Sequence, residues 1–259
     1  MRIGDLSTDD ADVRKEMVDL RDHRHFVECG STNDIAREWI GDAVEPAAEW
    51  SVVTADFQTS GRGRRGREWW SQPGDNALMS VVVRPAYSVG DAWKLAFVAA
   101  LAVSDVVVEL GASPALKWPN DILIDGRKVS GILIETVIGM GSDWAAIVGI
   151  GVNVNQASFD DEYLYEVRPV SLQMALGRTV DVDVDVVRKL CLEKLIEREG
   201  QHRREGFAAI VAAWQERMAS GYEIKRGASR GIQSQLLDTG EIEVRLPDGT
   251  LARWGTVDA

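Results

Sequence analysis

A chain of 259 residues, 45% of them hydrophobic and 27% charged, is typical of a soluble globular protein with one large domain, or one domain and a small appendage. Its formal net charge of -12 argues against general binding to nucleic acid, because an acidic surface repels phosphate backbones. The two cysteines, Cys29 and Cys191, lie far apart, which argues against a disulfide framework or a zinc site. The first residues lack the apolar core of a signal peptide and no apolar run approaches a membrane span, so a cytoplasmic protein is expected.

In chain order, the first predicted elements are helices. Val13, Met17 and Leu20 recur at helical spacing and predict a short leading helix over residues 13–24. The stretch STNDIAREWI opens with polar residues that suit an N-cap and continues with an apolar face, which predicts a second helix from Ser31 or Thr32.

The middle of the chain alternates between strand and helix patterns. EWSVVTADFQT and NALMSVVVRP predict two strands, and AWKLAFVAALAVSDVVVELG predicts a long, largely buried helix that ends at Gly111. Three more strands are predicted in ALKWPNDILID, RKVSGILIETVIG and DWAAIVGIGVNVN, with a hairpin turn at Asp125-Gly126.

The last part of the chain predicts helices over residues 183–219 and then a small β-barrel that begins near residue 220. Because the strands do not alternate strictly with helices, we expect an α+β fold, with a mixed β-sheet flanked by helices.

An arginine-rich loop stands out in this acidic chain, in the stretch QTSGRGRRGREWW. Four arginines fall within six positions, interleaved with glycines: Arg62, Arg64, Arg65 and Arg67. The glycine spacing fits the GxGxxG pattern of dinucleotide-binding turns, but such a turn must open a helix, and REWWSQPGDN is a poor helix start. Flexible glycines and bidentate guanidinium groups suit a mobile loop that orders around one small anion; the alternative is a solvated charged loop.

Two further motifs carry chemistry. In KWPNDILIDGRKVSG, Lys128 lies seven residues after Asp121 across the predicted hairpin turn, so the two side chains can face one site from neighbouring strands. A lysine beside a carboxylate suits phosphoryl or acyl transfer, because the ammonium neutralises an anion while the carboxylate handles a proton or a metal. In GIGVNVN, Gly149 and Gly151 indicate either a close approach to the strand or a bulge.

Together, and in this order, five motifs resemble those of the biotin protein ligases, also called biotin–[acetyl-CoA-carboxylase] ligases: STN (31–33), QTSGRGRRGREW (58–69), KWPND (117–121), GRKVSGILIE (126–135) and GIGVNVN (149–155). The resemblance covers residues 25–257. It implies a class II synthetase-like catalytic domain over residues 1–219 that binds biotin and ATP, and a small SH3-like domain over residues 220–259. It further implies that MgATP activates biotin to biotinyl-5'-AMP, and that biotin then passes to the ε-amine of one lysine on a biotin carboxyl carrier protein.

The resemblance also assigns roles to residues. Expected to bind biotin are Ser31, Thr32, Asn33, Gln58, Gly61, Arg62, Lys128 and Gly131. Expected to bind ATP or the adenylate are Arg62, Arg64, Arg65, Arg67, Trp69, Asn120, Lys128 and Asn153. The expected catalytic residues are Lys128, Arg64 and Asp121. Lys128 would bridge the biotin carboxylate and the α-phosphate, and Asp121 is also the candidate for Mg²⁺ or for the proton of the acceptor lysine.

Several alternatives bear on partners and substrate. Some biotin ligases carry an N-terminal winged helix-turn-helix, but the thirty residues before Ser31 are too few and too acidic, so no DNA binding is expected. The rival enzyme is a lipoate or octanoate ligase or transferase, whose arginine-rich motif is followed by a histidine; here no histidine occurs between His25 and His202. A non-catalytic biotin sensor is disfavoured because Lys128 and the loop arginines are present. The identity of the carrier and a homodimer stay open.

Overall fold

The computed structural model describes residues 22–139, 143–160, 165–177 and 182–256. Its larger unit is a seven-stranded sheet in the order β1-β2-β3-β7-β6-β5-β4. The strands are β1 (His23–Cys29), β2 (Val52–Gln58), β3 (Asn76–Val83), β4 (Pro114–Lys117), β5 (Asp121–Ile124), β6 (Arg127–Ile138) and β7 (Trp144–Asn153). Strands β1 and β2 pair in parallel and the other neighbours pair antiparallel, which confirms the expected mixed sheet.

Helices cover both faces of this sheet. They are α1 (Thr32–Ile40), α2 (Lys94–Glu109), α3 (Leu172–Leu176), α4 (Val184–Glu205) and α5 (Phe207–Glu216). On one face, Trp39 of α1 packs in a small cluster with Val82 and Ile147. The opposite face carries α2, whose apolar side chains are buried around most of the helix and join α4 and α5 in the main core. None of the helices in the described ranges has the length and apolar character needed to cross a membrane.

The predicted C-terminal β unit is a four-stranded antiparallel sheet in the order β11-β10-β9-β8. Its strands are β8 (Glu223–Arg226), β9 (Ser229–Leu236), β10 (Ile242–Arg245) and β11 (Leu251–Trp254). The apolar face of this sheet, including Ile242 and Trp254, belongs to the same buried cluster as α2 and the large sheet. The two units therefore share one hydrophobic core, and the division at residue 219 stays a prediction.

Two predicted elements at the edges of the sheet differ from the structure. The leading helix expected over residues 13–24 lies outside the described residues except at its end, where His23 and Arg24 begin β1. Strand β1 was not predicted, because its sequence, HRHFVEC, contains few apolar residues. The single strand expected in ALKWPNDILID is two antiparallel strands, β4 and β5, because the chain reverses at residues 118–120.

The hairpin turn between β5 and β6 is confirmed. Asp125 and Gly126 both adopt positive φ angles, 50° and 72°, as the two-residue turn of this hairpin requires. The turn brings β5 and β6 side by side, with Asp121 opposite Gly131, and it fixes where the catalytic candidates of both strands lie.

Candidate functional site

A cavity of about 230 Å³ lies on the face of the sheet that carries α1. It is lined by most of the residues that the sequence predicted for the site: Ser31, Thr32, Asn33, Gln58, Arg62, Arg64, Arg67, Trp69, Asn120, Asp121, Lys128, Gly131 and Asn153. Gly61 and Arg65 do not line it. The five motifs, spread over more than one hundred positions of sequence, therefore converge on one cavity.

One end of the cavity is lined by polar side chains that hydrogen-bond to each other. Thr32 donates to Gln58 Oε1 from its backbone nitrogen at 2.7 Å and from its hydroxyl at 3.0 Å. Ser80 Oγ lies 2.7 Å from Thr32 Oγ1 and 2.5 Å from Asn33 Oδ1, and Asn33 Nδ2 donates to Glu135 at 2.6 Å. These buried side chains hold each other in fixed orientations, as recognition of a small polar ring requires.

Glycines of β7 make room for the cavity wall. A Cβ atom on Gly151 would stand 2.6 Å from Trp69, and a Cβ atom on Gly149 would stand 2.6 Å from Asn33 Oδ1. The register of β7 against β3 and β6 is continuous through both glycines, so the close approach is the correct interpretation of GIGVNVN and the bulge is not. The Trp69 ring also lies 5.6 Å from Lys128 Nζ, which closes that side of the cavity.

A carboxylate between two lysines forms the centre of the site. Asp121 Oδ1 lies 2.5 Å from Lys128 Nζ, and Asp121 Oδ2 accepts from Lys117 Nζ at 3.1 Å. Burial opposes ionisation of Asp121, but the two ammonium groups outweigh it and lower the pKa to about 2. The expectation that Lys128 and Asp121 face one site from neighbouring strands is confirmed, and the cluster keeps one net positive charge at the cavity.

Three of the four loop arginines have partners on the surrounding elements. Arg62 forms a bidentate pair with Asp34 at 2.6 Å, and Arg67 donates to Glu166. Arg64 donates to the backbone oxygen of Thr256 at 2.6 Å. These contacts give Arg62, Arg64 and Arg67 partners outside the loop.

The surroundings of Arg64 disfavour its positive charge. Burial lowers the pKa of its guanidinium, and the neighbouring charge of Arg65 lowers it further. The charged form is therefore disfavoured by its surroundings, and an anion placed in the cavity would stabilise it. Arg65 itself is exposed, with a φ of 58° in the short turn over residues 64–66.

A profile of the Biotin/lipoate A/B protein ligase family matches residues 30–154. A biotin--[acetyl-CoA-carboxylase] ligase from Paracoccus denitrificans is 38% identical over 209 residues, which cover 76% of this chain and 85% of that protein. The chain belongs to the biotin protein ligase family.

Other members of the family differ in length. The bifunctional ligase/repressor BirA of Bacillus subtilis is 39% identical over 174 residues, which are 65% of this chain and 52% of that protein. The chain thus spans about half the length of such relatives. The structure of the biotin protein ligase from Aquifex aeolicus in complex with biotin and ATP superposes with a TM-score of 0.75, at 27% identity, over 92% of this chain and 97% of that one.

Three more residues expected from the family pattern contact the backbone of neighbouring segments. Asn120 donates to the backbone oxygen of Ile132 at 2.7 Å, and Asn153 donates to the backbone oxygens of Lys128 and Val170 at 3.3 and 3.2 Å. Gly61 is buried behind the loop, where a Cβ atom would stand 2.5 Å from the backbone oxygen of Trp69.

Sequence reasoning missed part of the lining. Lys117 stands in the KWPND motif but received no role, and it proves to be the second cation on Asp121. Ile224 and Lys225 reach the cavity from β8 of the C-terminal sheet. No local pattern marks these two residues, because only the docking of the small sheet brings them to the site.

The donor set does not fit a protein-held Mg²⁺ ion. Among the described residues, no three His, Cys, Asp or Glu side chains cluster so as to hold a metal. Both oxygens of Asp121 already accept from lysine ammonium groups, whereas Mg²⁺ binds through free carboxylate oxygens, water and phosphates. The assignment of Asp121 to Mg²⁺ stays a prediction that this arrangement disfavours.

Proposed function

We propose that the protein is a biotin protein ligase, which activates biotin with MgATP to biotinyl-5'-AMP and then biotinylates one lysine of a biotin carboxyl carrier protein. The observation that carries this proposal is the single cavity in which a polar hydrogen-bonded end meets the Lys117–Asp121–Lys128 cluster and the arginine loop. One end suits an uncharged ring, and the other suits a carboxylate and phosphates.

In the first step, a biotin carboxylate oxygen attacks the α-phosphorus of ATP, and the bond to pyrophosphate breaks. Negative charge gathers on the α-phosphate as the two anions approach. Lys128, fixed by Asp121 at 2.5 Å, is the ammonium group placed to stabilise that charge, and Arg64 is a half-buried cation that gains from an anion. Arg62 and Arg67 line the same cavity and supply further contacts for carboxylate or phosphate.

In the second step, the ε-amine of the acceptor lysine attacks the acyl carbon of the mixed anhydride, and AMP leaves. Asp121 is poorly suited to take the proton of this amine, because a carboxylate with a pKa of about 2 is a weak base near neutral pH. We assign Asp121 the role of holding Lys128. We infer that the amine arrives unprotonated, and that the proton it releases as the amide bond forms passes to the departing AMP phosphate or to water. The arginine loop and Trp69 shield the anhydride from water until then.

Adenylation with labelled ATP tests the proposal. Purified protein with biotin and [α-³²P]ATP should form biotinyl-5'-AMP, and Lys128→Ala should lower the rate by roughly a hundredfold or more, the effect of removing one transition-state donor. Lys194→Ala, which removes a lysine paired with Glu109 on the surface, is the matched control. If the wild type forms no biotinyl-5'-AMP, or if lipoate or octanoate replaces biotin at a higher rate, the proposal is wrong.

The carrier and the setting belong to the same proposal. Labelled biotin should pass from the adenylate to a purified carrier domain but not to a variant without the acceptor lysine. Cytoplasmic location and a homodimer stay predictions, and sedimentation of the purified protein with and without biotin and ATP tests the second.

A further inference from the structure

Glu135 closes the GRKVSGILIE motif and has no role in the proposed mechanism. Alternation along β6 places it on the same face as Gly131 and Leu133, which line the cavity. Its own carboxylate lies behind that lining, and 25% of the side chain is exposed to solvent. Glu135 therefore acts on the site through the side chains that it contacts.

Three donors converge on the Glu135 carboxylate. Asn33 Nδ2 donates to Oε2 at 2.6 Å, Arg37 lies 3.0 Å from Oε1, and Arg62 lies 3.7 Å from Oε2. Asp34 holds the same Arg62 by its bidentate pair, and this pair lowers the pKa of the Asp34 carboxyl. Two carboxylates thus balance two guanidinium groups, and the Asn33 amide is the neutral member of the network.

The carboxylate determines which way the Asn33 amide faces. A carboxylate can only accept hydrogen bonds, so the NH₂ group of Asn33 must face Glu135. The amide oxygen then faces Ser80 Oγ, 2.5 Å away, in the space that Gly149 leaves by having no Cβ. Asn33 is 3% exposed and lines the cavity, so the orientation of its amide determines which polar group the cavity wall offers.

We propose that Glu135 is a positioning residue for biotin, which fixes the polarity of the Asn33 carboxamide at the polar end of the cavity. This inference rests on the proposed function. The fused ring of biotin carries a ureido group with N–H donors and one carbonyl acceptor, so an amide of fixed polarity matches it in one orientation. A flipped amide would set donor against donor or acceptor against acceptor, and biotin would bind more weakly while ATP would not.

Glu135→Gln tests this proposal with almost no change in shape. A glutamine side chain can turn either its oxygen or its NH₂ group to Asn33, so the amide loses its imposed orientation. We expect biotin binding, measured by titration calorimetry without ATP, to weaken about tenfold or more, as for a lost hydrogen bond to a charged group. The KM for ATP should change by less than about twofold, because Glu135 acts on the biotin end of the cavity. Glu109→Gln, which removes a surface carboxylate paired with Lys194, is the matched control and should leave both values unchanged.

A double-mutant cycle with Asn33→Ala separates positioning from a general structural effect. If Glu135 acts through Asn33, Glu135→Gln should weaken biotin binding no further in the Asn33→Ala background. Additive losses, or wild-type affinity in Glu135→Gln, would overturn the proposal. If thermal unfolding shows that Glu135→Gln is not folded, Ser80→Ala removes the opposite partner of the same amide and must show the same non-additivity. Wild-type protein that binds no biotin would instead contradict the proposed function.

Discussion

At the scale of single residues, the centre of the site is the ion cluster that joins Asp121 to Lys117 and Lys128. All three side chains are at least three-quarters buried, and each carboxylate oxygen has its own ammonium partner. Loss of the carboxylate would leave two neighbouring cations without a counter-ion in the cavity wall. The cluster therefore contributes to the stability of the fold as well as to the position of Lys128.

Asp121→Asn should reveal this contribution through its dependence on pH. Asparagine resembles the protonated carboxyl, and the folded-state pKa of about 2 lies below the ordinary value of 3.8, so the ionised group stabilises the fold above about pH 4. We expect the free energy of unfolding in urea to fall by roughly 2 kcal/mol at pH 7. The difference from the wild type should narrow as the pH is lowered towards about 2, because the wild-type carboxylate then becomes protonated.

Asp238→Asn is the control for this experiment, because Asp238 is an exposed turn residue of the C-terminal sheet. Its stability should match that of the wild type across the pH range. A difference between Asp121→Asn and the wild type that stays constant with pH would show that the ion cluster is not its cause.

At the scale of elements, β7 sets the shape of both ends of the cavity. Gly149 and Gly151 are two positions apart and so face the same side, where one gives space to Asn33 and the other to Trp69. The arginine loop and α1 approach each other over this strand. Trp69 from the loop and Asn33 from α1 each pack on a glycine of β7, where no side chain of the strand is in the way.

We predict that an alanine substitution at each glycine raises the KM for a different substrate. Gly149→Ala pushes the Asn33 amide away and should raise the KM for biotin about tenfold, whereas Gly151→Ala displaces the Trp69 ring and should raise the KM for ATP by a similar factor. Steady-state adenylation with each substrate varied in turn gives both values. Gly90→Ala, at a surface position where a Cβ atom would make only an ordinary contact with Ser88 Oγ at 3.6 Å, should change neither. Equal effects of both substitutions on both substrates would contradict the separate roles of the two ends.

At the scale of the whole molecule, the C-terminal sheet is locked into the larger unit by buried polar contacts. Gln233 is 2% exposed; its Oε1 accepts from the backbone nitrogen of Trp118 at 3.1 Å. Its Nε2 donates to the backbone oxygens of Leu116 and Ala219 at 3.1 and 2.9 Å. Because Trp118 stands in the KWPND motif, this one side chain connects the small sheet to the turn that carries Asn120 and leads into β5 at Asp121.

Gln233→Ala should therefore destabilise the protein and loosen the site together. The buried backbone nitrogen of Trp118 loses its hydrogen-bond acceptor, which costs about 1–3 kcal/mol, whereas the backbone oxygens of Leu116 and Ala219 still accept from the backbone nitrogens of Ala219 and Tyr222. We expect the urea midpoint to fall and the protein to unfold in one transition followed by both circular dichroism and tryptophan fluorescence. Gln235→Ala, on an exposed position of the same strand, should leave the midpoint unchanged. Two separate transitions in the wild type would contradict a shared core and support independent domains.

Much of the fold and of the site could be predicted from the sequence, because the signals are local. The apolar run of α2, the Asp125-Gly126 turn and the mixed sheet follow from periodicity and turn chemistry, and each is confirmed. Strand β1 and the division of β4 from β5 were missed, since an edge strand of polar residues and a reversal inside an apolar run carry weak local signals. The motifs named the family and most of the residues that line the cavity, because each motif keeps its side chains within one turn or strand.

Only the tertiary structure decided which side chains meet across elements. It placed Lys117 on Asp121, Glu135 against Asn33, Asp34 against Arg62, and Lys225 at the cavity. Each of these contacts depends on strand register or on the docking of a separate element. Register and docking are not encoded by the residues that flank the contact. The sequence by itself determined what chemical groups the site contains, and long-range packing determined their partners, their orientation and their charge balance.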